Sequence, residues 1–185
     1  MIRALLWILS GLILGGIVHL STVLAMPQAA TQDAYSRLTP LTPVNTMVQL
    51  APPTVDTAIM PYMDPAFAAA VCRYDLSNGT IKLTAPVSQA YTSVTFYTRK
   101  SVAYYAINDR AAGRRTIELD LMTPEQHADM PEEEDVTAAD RLIIESPTQS
   151  GLIVLRALAP EPSLMAMARR ALANTQCRIE PLPTQ

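Results

Sequence analysis

Residues 4–26 read Ala-Leu-Leu-Trp-Ile-Leu-Ser-Gly-Leu-Ile-Leu-Gly-Gly-Ile-Val-His-Leu-Ser-Thr-Val-Leu-Ala-Met, with no Asp, Glu, Lys or Arg. As a helix rising about 1.5 Å per residue, this stretch reaches roughly 34 Å, enough for a hydrocarbon core of about 30 Å. Its short flank carries Arg3, and the next basic residue is Arg37. That asymmetry predicts a cytoplasmic amino terminus with everything after residue 26 outside. Trp7 suits the headgroup belt. The competing reading is a signal peptide, with Met1–Arg3 as its basic end and Val23-Leu24-Ala25 as its cleavage site. Against it, the apolar stretch is longer than the usual 7–15 residues of a signal core. Either way the remaining chain is exported.

Within this segment Gly11 and Gly15 form a GxxxG pair, with Gly16 adjacent. Small residues at that spacing let two membrane helices approach closely, although glycine is also common in membrane helices that stay alone. A helix-paired homodimer is one expectation; a solitary anchor is the other. His19 lies close enough to the outer end for a neutral imidazole to reach water.

The rest of the chain is a soluble domain by composition. Hydrophobic residues make up 49% of the protein and charged residues 17%, which excludes disorder. All 17 acidic residues and all but one of the 14 basic residues lie beyond residue 32. The exported part is therefore acidic, which argues against nucleic acid as a partner. Two His and two Cys exclude zinc-finger arrays and disulfide-dense scaffolds. Cys72 and Cys177 would close a loop of about a hundred residues if oxidised, worth roughly 4–5 kcal/mol by chain entropy. Two buried free thiols are the alternative.

Six prolines between Pro27 and Pro61 mark residues 27–61 as an extended lead, with a short helix around Gln32–Leu38. Val44, Met47, Val48 and Leu50 suggest that part of the lead packs along the domain. Residues 62–185 form the domain itself. Alternation places strands at Ala68–Leu76, Ile81–Ala85, Tyr91–Tyr97, Val102–Ile107 and Ile117–Leu121. Short apolar runs at Arg141–Glu145 and Leu152–Leu158 read as buried strands. Asn78-Gly79 between alternating runs predicts a hairpin. Thr123–Asp140, with Glu132–Asp135, reads as a solvated loop. Ser163–Cys177 predicts a serine-capped helix with Leu164, Met167, Ala168, Ala171 and Leu172 on one face. The expected architecture is mainly β within the α+β class: a sandwich-like exported domain with a C-terminal helix, preceded by one transmembrane helix.

The segments Tyr74-Asp-Leu-Ser-Asn-Gly79 through Ala85-Pro86, and Tyr91-Thr-Ser-Val-Thr-Phe96, resemble the bacterial family grouped as domain of unknown function 1254. Ser146-Pro147-Thr148 and Val154–Leu158 resemble later segments of that family. The likeness covers about residues 64–160. It departs at Met63-Asp-Pro-Ala-Phe67, where the family has Asn-Pro-Asp-Thr-x-Tyr. The resemblance implies a β-rich envelope domain and supplies no catalytic residues.

Catalytic chemistry finds little purchase. A Ser–His pair needs an available His, and only His127 lies outside the apolar segment. Glu125, His127, Asp129 and Glu132–Asp135 could meet a divalent cation, but they lack the glycine and alternation of a tight calcium loop. Asp75 and Asp109 could serve as paired carboxylates of a carbohydrate hydrolase, or simply as turn caps. The most suggestive ligand-binding set is Arg99, Lys100 and Arg110, near Arg114 and Arg115, with Tyr97 and Tyr104 as pocket walls. No cofactor is expected. The sequence thus predicts a single-pass protein of the bacterial inner membrane, inserted through residues 4–26. Its periplasmic domain would be a non-catalytic accessory that binds an envelope protein or a ligand, with an envelope enzyme as the rival.

Overall fold

The computed structural model describes residues 2–29, 33–54, 56, 58–113, 115–130 and 142–181. Two units emerge, Met1–Asp33 and Ala34–Gln185. The first holds one helix, α1 (Ile2–Ala29), whose side chains through Met26 are all exposed. It is long and apolar enough to cross a membrane. The Thr22 hydroxyl donates to the Val18 carbonyl at 2.8 Å, so this polar side chain is satisfied within the helix.

The second unit is built by period-2 patterning. Five strands form one sheet in the order β1 (Met47–Gln49), β2 (Phe67–Asp75), β8 (Ser150–Leu158), β4 (Thr92–Thr98), β5 (Ala103–Asn108), all antiparallel. Four strands form the other: β7 (Leu142–Glu145), β6 (Thr116–Met122), β3 (Thr80–Pro86), β9 (Gln176–Glu180). Among the described strands of this sheet, β6–β7 pair in parallel and β3 pairs antiparallel with β6 and β9. The described residues also form the short helices α2 (Ala34–Leu38), α3 (Asp109–Ala112), α4 (Pro124–Ala128) and α5 (Met165–Ala173).

Alternate residues of each strand face the space between the sheets. Ala70, Cys72 and Tyr74 of β2, Ile153 and Leu155 of β8, and Phe96 of β4 lie in one fully buried cluster with Ile81 and Leu83 of β3 and Leu119 and Leu121 of β6. This is the sandwich expected from alternation, and its register holds the same face inward across each pair. Cys72 of β2 and Cys177 of β9 are joined in a disulfide between the two sheets, 105 residues apart in sequence.

Three expectations are corrected. The Asn78-Gly79 turn does not close a hairpin within one sheet: β2 and β3 belong to different sheets, so the chain changes layer there. Gly79, at φ +155°, backs onto the Glu180 carbonyl of β9, leaving no room for a Cβ. Residues 163–177 are not one helix. They form a 3-10 turn (Pro162–Leu164), α5 and then β9, and the Ser163 hydroxyl bonds Glu161 rather than capping the helix. Only Ala168 and Leu172 of the expected stripe are buried, and Met167 is exposed. Thr123–Asp140 opens with α4, and its residues 131–140 lie outside the described residues. The compact unit that holds the sandwich begins at Ala34. Leu38 and Leu50 are buried with Val71 and Leu152 on the outer face of the five-stranded sheet, and Ile59, Met60 and Met63 pack against them. Tyr35 of α2 lies 3.9 Å beneath the Arg99 guanidinium and 5.8 Å from that of Arg73, two cation–π contacts that fasten α2 to the sheet.

Candidate binding site at the strand-turn end

One end of the sandwich gathers three connections: the layer-changing turn at 76–79, the β6–α4 junction at 123–126, and the β7–β8 turn at 146–149. Between them lies a depression of about 520 Å³, lined by Leu76, Ser77, Thr123, Glu125, Ser146 and Gln149 among others. Its walls are tied together by main-chain geometry. Thr123 and Gln126 form a reciprocal capping box at the start of α4, with Pro124 at its first position. The Gln126 amide nitrogen then donates to the carbonyls of Leu76 at 2.9 Å and Gly79 at 3.3 Å, binding α4 to the neighbouring turn. Leu76 N–H donates to the Gln149 carbonyl at 2.8 Å, closing the ring of turns.

Beneath the depression runs a chain of buried hydroxyls whose proton count fixes its direction. The Ser146 hydroxyl donates to the Thr148 carbonyl at 2.6 Å, which uses its one proton. Tyr74, 2.9 Å away, must therefore donate to Ser146 Oγ. Tyr104, 3.2 Å from the Tyr74 hydroxyl, in turn donates to it, while the Tyr97 carbonyl, also at 3.2 Å, shares the Tyr74 proton. Burial, reinforced by the Tyr74 hydroxyl, pushes the Tyr104 phenol well above its ordinary range, so it stays a donor. Gly151 makes the crossing possible. A Cβ there would overlap the Tyr97 carbonyl and the Tyr74 hydroxyl. Gly151→Ala is expected to destabilise the domain by about 1–3 kcal/mol, measurable by thermal unfolding.

Glu125 is the charged residue of the depression's lining. The Glu125 amide and the Thr123 hydroxyl hold the Glu125 carboxyl below the usual carboxylate range. The Ser77 hydroxyl and amide do the same for Asp75, outweighing an opposing desolvation effect, with Arg73 adding the smallest share. A carboxyl held low in the folded state stabilises it above the unfolded value and loses that contribution as pH falls through the folded value. Asp75→Asn should accordingly flatten the acid limb of the stability–pH curve, read from melts between neutral and acid pH. His127 bonds Glu145 at 2.8 Å.

The model for "Protein of unknown function (DUF1254)" matches residues 44–181, most of the chain. This chain belongs to that family. No curated protein matches it. Among solved structures it is similar to the VPA0106 protein of Vibrio parahaemolyticus, at 10% identity and a TM-score of 0.62, over 87% of this chain and 39% of that one. An uncharacterised protein of Burkholderia cenocepacia is similar at 12% identity and a TM-score of 0.47, over 76% and 37% of the two chains. The DUF1254 chain described here thus spans less than two fifths of either solved protein, and the Vibrio likeness speaks to its fold.

The predicted ligand set is dispersed in this DUF1254 fold. Arg99 and Lys100 occupy the turn before β5, while Arg110 sits in α3 after it, so the length of β5, roughly 20 Å, separates them. Arg115 lies at the Arg110 end, and Arg114 falls outside the described residues. Tyr97 packs with the outer cluster and Tyr104 with the inner one, on opposite faces of the sheet. The two carboxylates are parted as well. Asp75 pairs with Ser150, whereas Asp109 accepts a bond from Thr92 N–H, which pairs with Ala157. The run of β8 from 150 to 157, at about 3.3 Å per residue, puts them roughly 23 Å apart, far beyond glycosidase spacing. Each caps a turn or strand end. No group of three metal-ligating side chains exists among the described residues, and Glu132–Asp135 lie outside them. Gly11 and Gly15 both present open backbone on α1.

Three contributors were missed from sequence. Tyr74 read as a strand position and the start of a family-like segment, and Ser146 and Thr148 only as family-like punctuation. The Thr123-Pro-Glu-Gln126 run was readable, because Thr-x-x-Gln is a capping-box pattern.

Proposed function

We propose that the protein is a single-pass inner-membrane accessory of the bacterial cell envelope, with its sandwich in the periplasm. It holds another envelope protein at the strand-turn end. The observation supporting this reading is the depression at 76–79, 123–126 and 146–149. It is open to solvent and carries Glu125, and its walls are held by Gln126 and its floor by the Tyr104–Tyr74–Ser146 chain. Such a preformed surface binds without paying to order its loops. The exposed α1 helix and the disulfide fit an exported, membrane-tethered chain.

The test places a photo-crosslinking residue at Gln149, and separately at Arg110 on the far end, in full-length protein expressed in its own cells. A discrete adduct from position 149, absent at 110, is expected. Adducts from 110 alone, or identical adducts from both, would contradict the reading. Glu125→Lys should reduce the 149 adduct by about tenfold through loss of rim charge, scored on the same blots.

A further inference from the structure

Nearly every hydrogen-bond donor around the depression at the strand-turn end is already taken. Ser77, Thr123, Ser146 and Thr148 line it with hydroxyls. Ser77 donates to the Asp75 carboxylate at 2.6 Å, Ser146 to the Thr148 carbonyl at 2.6 Å, and Thr148 to the Ser150 carbonyl at 2.9 Å. Thr123 accepts the Gln126 N–H and turns its own proton to the Glu125 carboxylate. A hydroxyl carries a single proton, so none of these has one left for a ligand, and Ser77 Oγ offers lone pairs only. The Gln126 side-chain amide gives its protons to the Leu76 and Gly79 carbonyls.

The main chain is closed in the same way. Pro124 and Pro147 have no N–H. The N–H groups of Leu76, Ser77, Thr123 and Ser146 bond the Gln149 carbonyl, Asp75, the Gln126 side chain and the Met122 carbonyl. Those of Gln126 and Thr148 bond the Thr123 and Ser146 hydroxyls, and Glu125 N–H bonds its own carboxylate. Among the lining residues only Gln149, whose exposed side chain carries both a donor and an acceptor, departs from this pattern. What faces a ligand is therefore a set of acceptors around the exposed Glu125, with no Lys or Arg in the lining.

That pattern discriminates between ligand chemistries. An anion would meet the Glu125 carboxylate and find almost no donors. A neutral, hydroxyl-rich ligand would leave its own acceptors unpaired. A guanidinium or an ammonium brings several N–H donors and no acceptor, and its charge strengthens each bond it makes. We propose that the depression receives an arginine or lysine side chain, whose N–H groups meet the Glu125 carboxylate and Ser77 Oγ. This rests on the reading above that a protein is held at this end, and it names the chemistry that protein presents. Because Glu125 is exposed, water and salt screen it, so one residue binds weakly and selectivity is the signature.

The test titrates full-length protein in detergent micelles with N-acetyl-arginine amide, N-acetyl-lysine amide and N-acetyl-citrulline amide. Amide resonances of Ser77, Glu125 and Thr148 are the readout. Citrulline keeps the shape of arginine but replaces its cation with a neutral urea that carries an acceptor. Saturable shifts are expected from the cationic probes, about tenfold tighter than from the citrulline probe, and the tighter cation identifies the side chain. Glu125→Gln should weaken the cationic probes by about fivefold, whereas Glu161→Gln, at an exposed carboxylate outside the lining, should change nothing. Equal binding of the citrulline probe, shifts indifferent to Glu125→Gln, or no shift from either cation would overturn the proposal. The titration contains no partner protein, so the two readings fail separately. A cation site with no adduct from position 149 would sink the accessory reading alone. A 149 adduct unaffected by Glu125→Gln, beside silent titrations, would sink the cation site alone.

Discussion

Cys72→Ser combined with Cys177→Ser is expected to cost the domain about 4–5 kcal/mol through loss of the cross-link alone. The bond closes a loop of 105 residues and joins β2 to β9, one strand from each sheet. Both cysteines are buried, at 0% and 5% exposure, so the double serine variant also places two hydroxyls in an apolar core. Domains of this size hold about 5–15 kcal/mol in total, so the loss brings the variant near its unfolding threshold. Denaturant titration of the oxidised protein, the reduced protein and the Cys72→Ala, Cys177→Ala pair separates the cross-link from the polarity. Reduced and alanine forms should unfold at similarly lowered midpoints. A reduced form as stable as the oxidised one would mean that the sheets need no covalent tie.

Tyr74→Ala is expected to follow, at about 3–5 kcal/mol, because a fully buried aromatic ring leaves a cavity between the sheets. Tyr74→Phe isolates the hydroxyl. It strips Tyr104 of its acceptor and Ser146 of its donor while keeping the ring, for about 1–3 kcal/mol. The difference between the two variants measures ring packing alone. The phenylalanine variant should also loosen the 146–149 turn, visible as faster amide exchange at Thr148, whose N–H bonds Ser146 Oγ. Full stability in Tyr74→Phe would show that the hydroxyl chain does not organise the strand-turn end.

The fold was legible wherever one face of a strand is buried. Ile81, Leu83 and Ala85, or Ile117, Leu119 and Leu121, alternate so regularly that the strands could be read directly. Sheet membership was not legible, since alternation is silent on which layer a strand joins. Asn78-Gly79 marked a turn correctly but misled about its partner, because the pairing of β3 with β6 and β9 is decided by contacts far away in sequence. β9 was hidden by the helical period running into it, and β1 by its length of three residues. The disulfide was an even alternative to two buried thiols until the sheets placed Cys72 and Cys177 face to face. The candidate site was hardest to read. The basic and aromatic residues picked out by type are scattered by the topology. The residues that do converge, Tyr74, Gln126, Ser146 and Gln149, are neutral and come from separate segments.

The measurement that tests the central claim most directly is the intact mass of the protein purified from native membranes without reductant. An exported domain tethered by α1 predicts a chain that retains residues 4–26 and is two hydrogens short of its fully reduced mass. A chain beginning after Ala25, or one carrying two free thiols, would contradict the tethered, oxidised module described above.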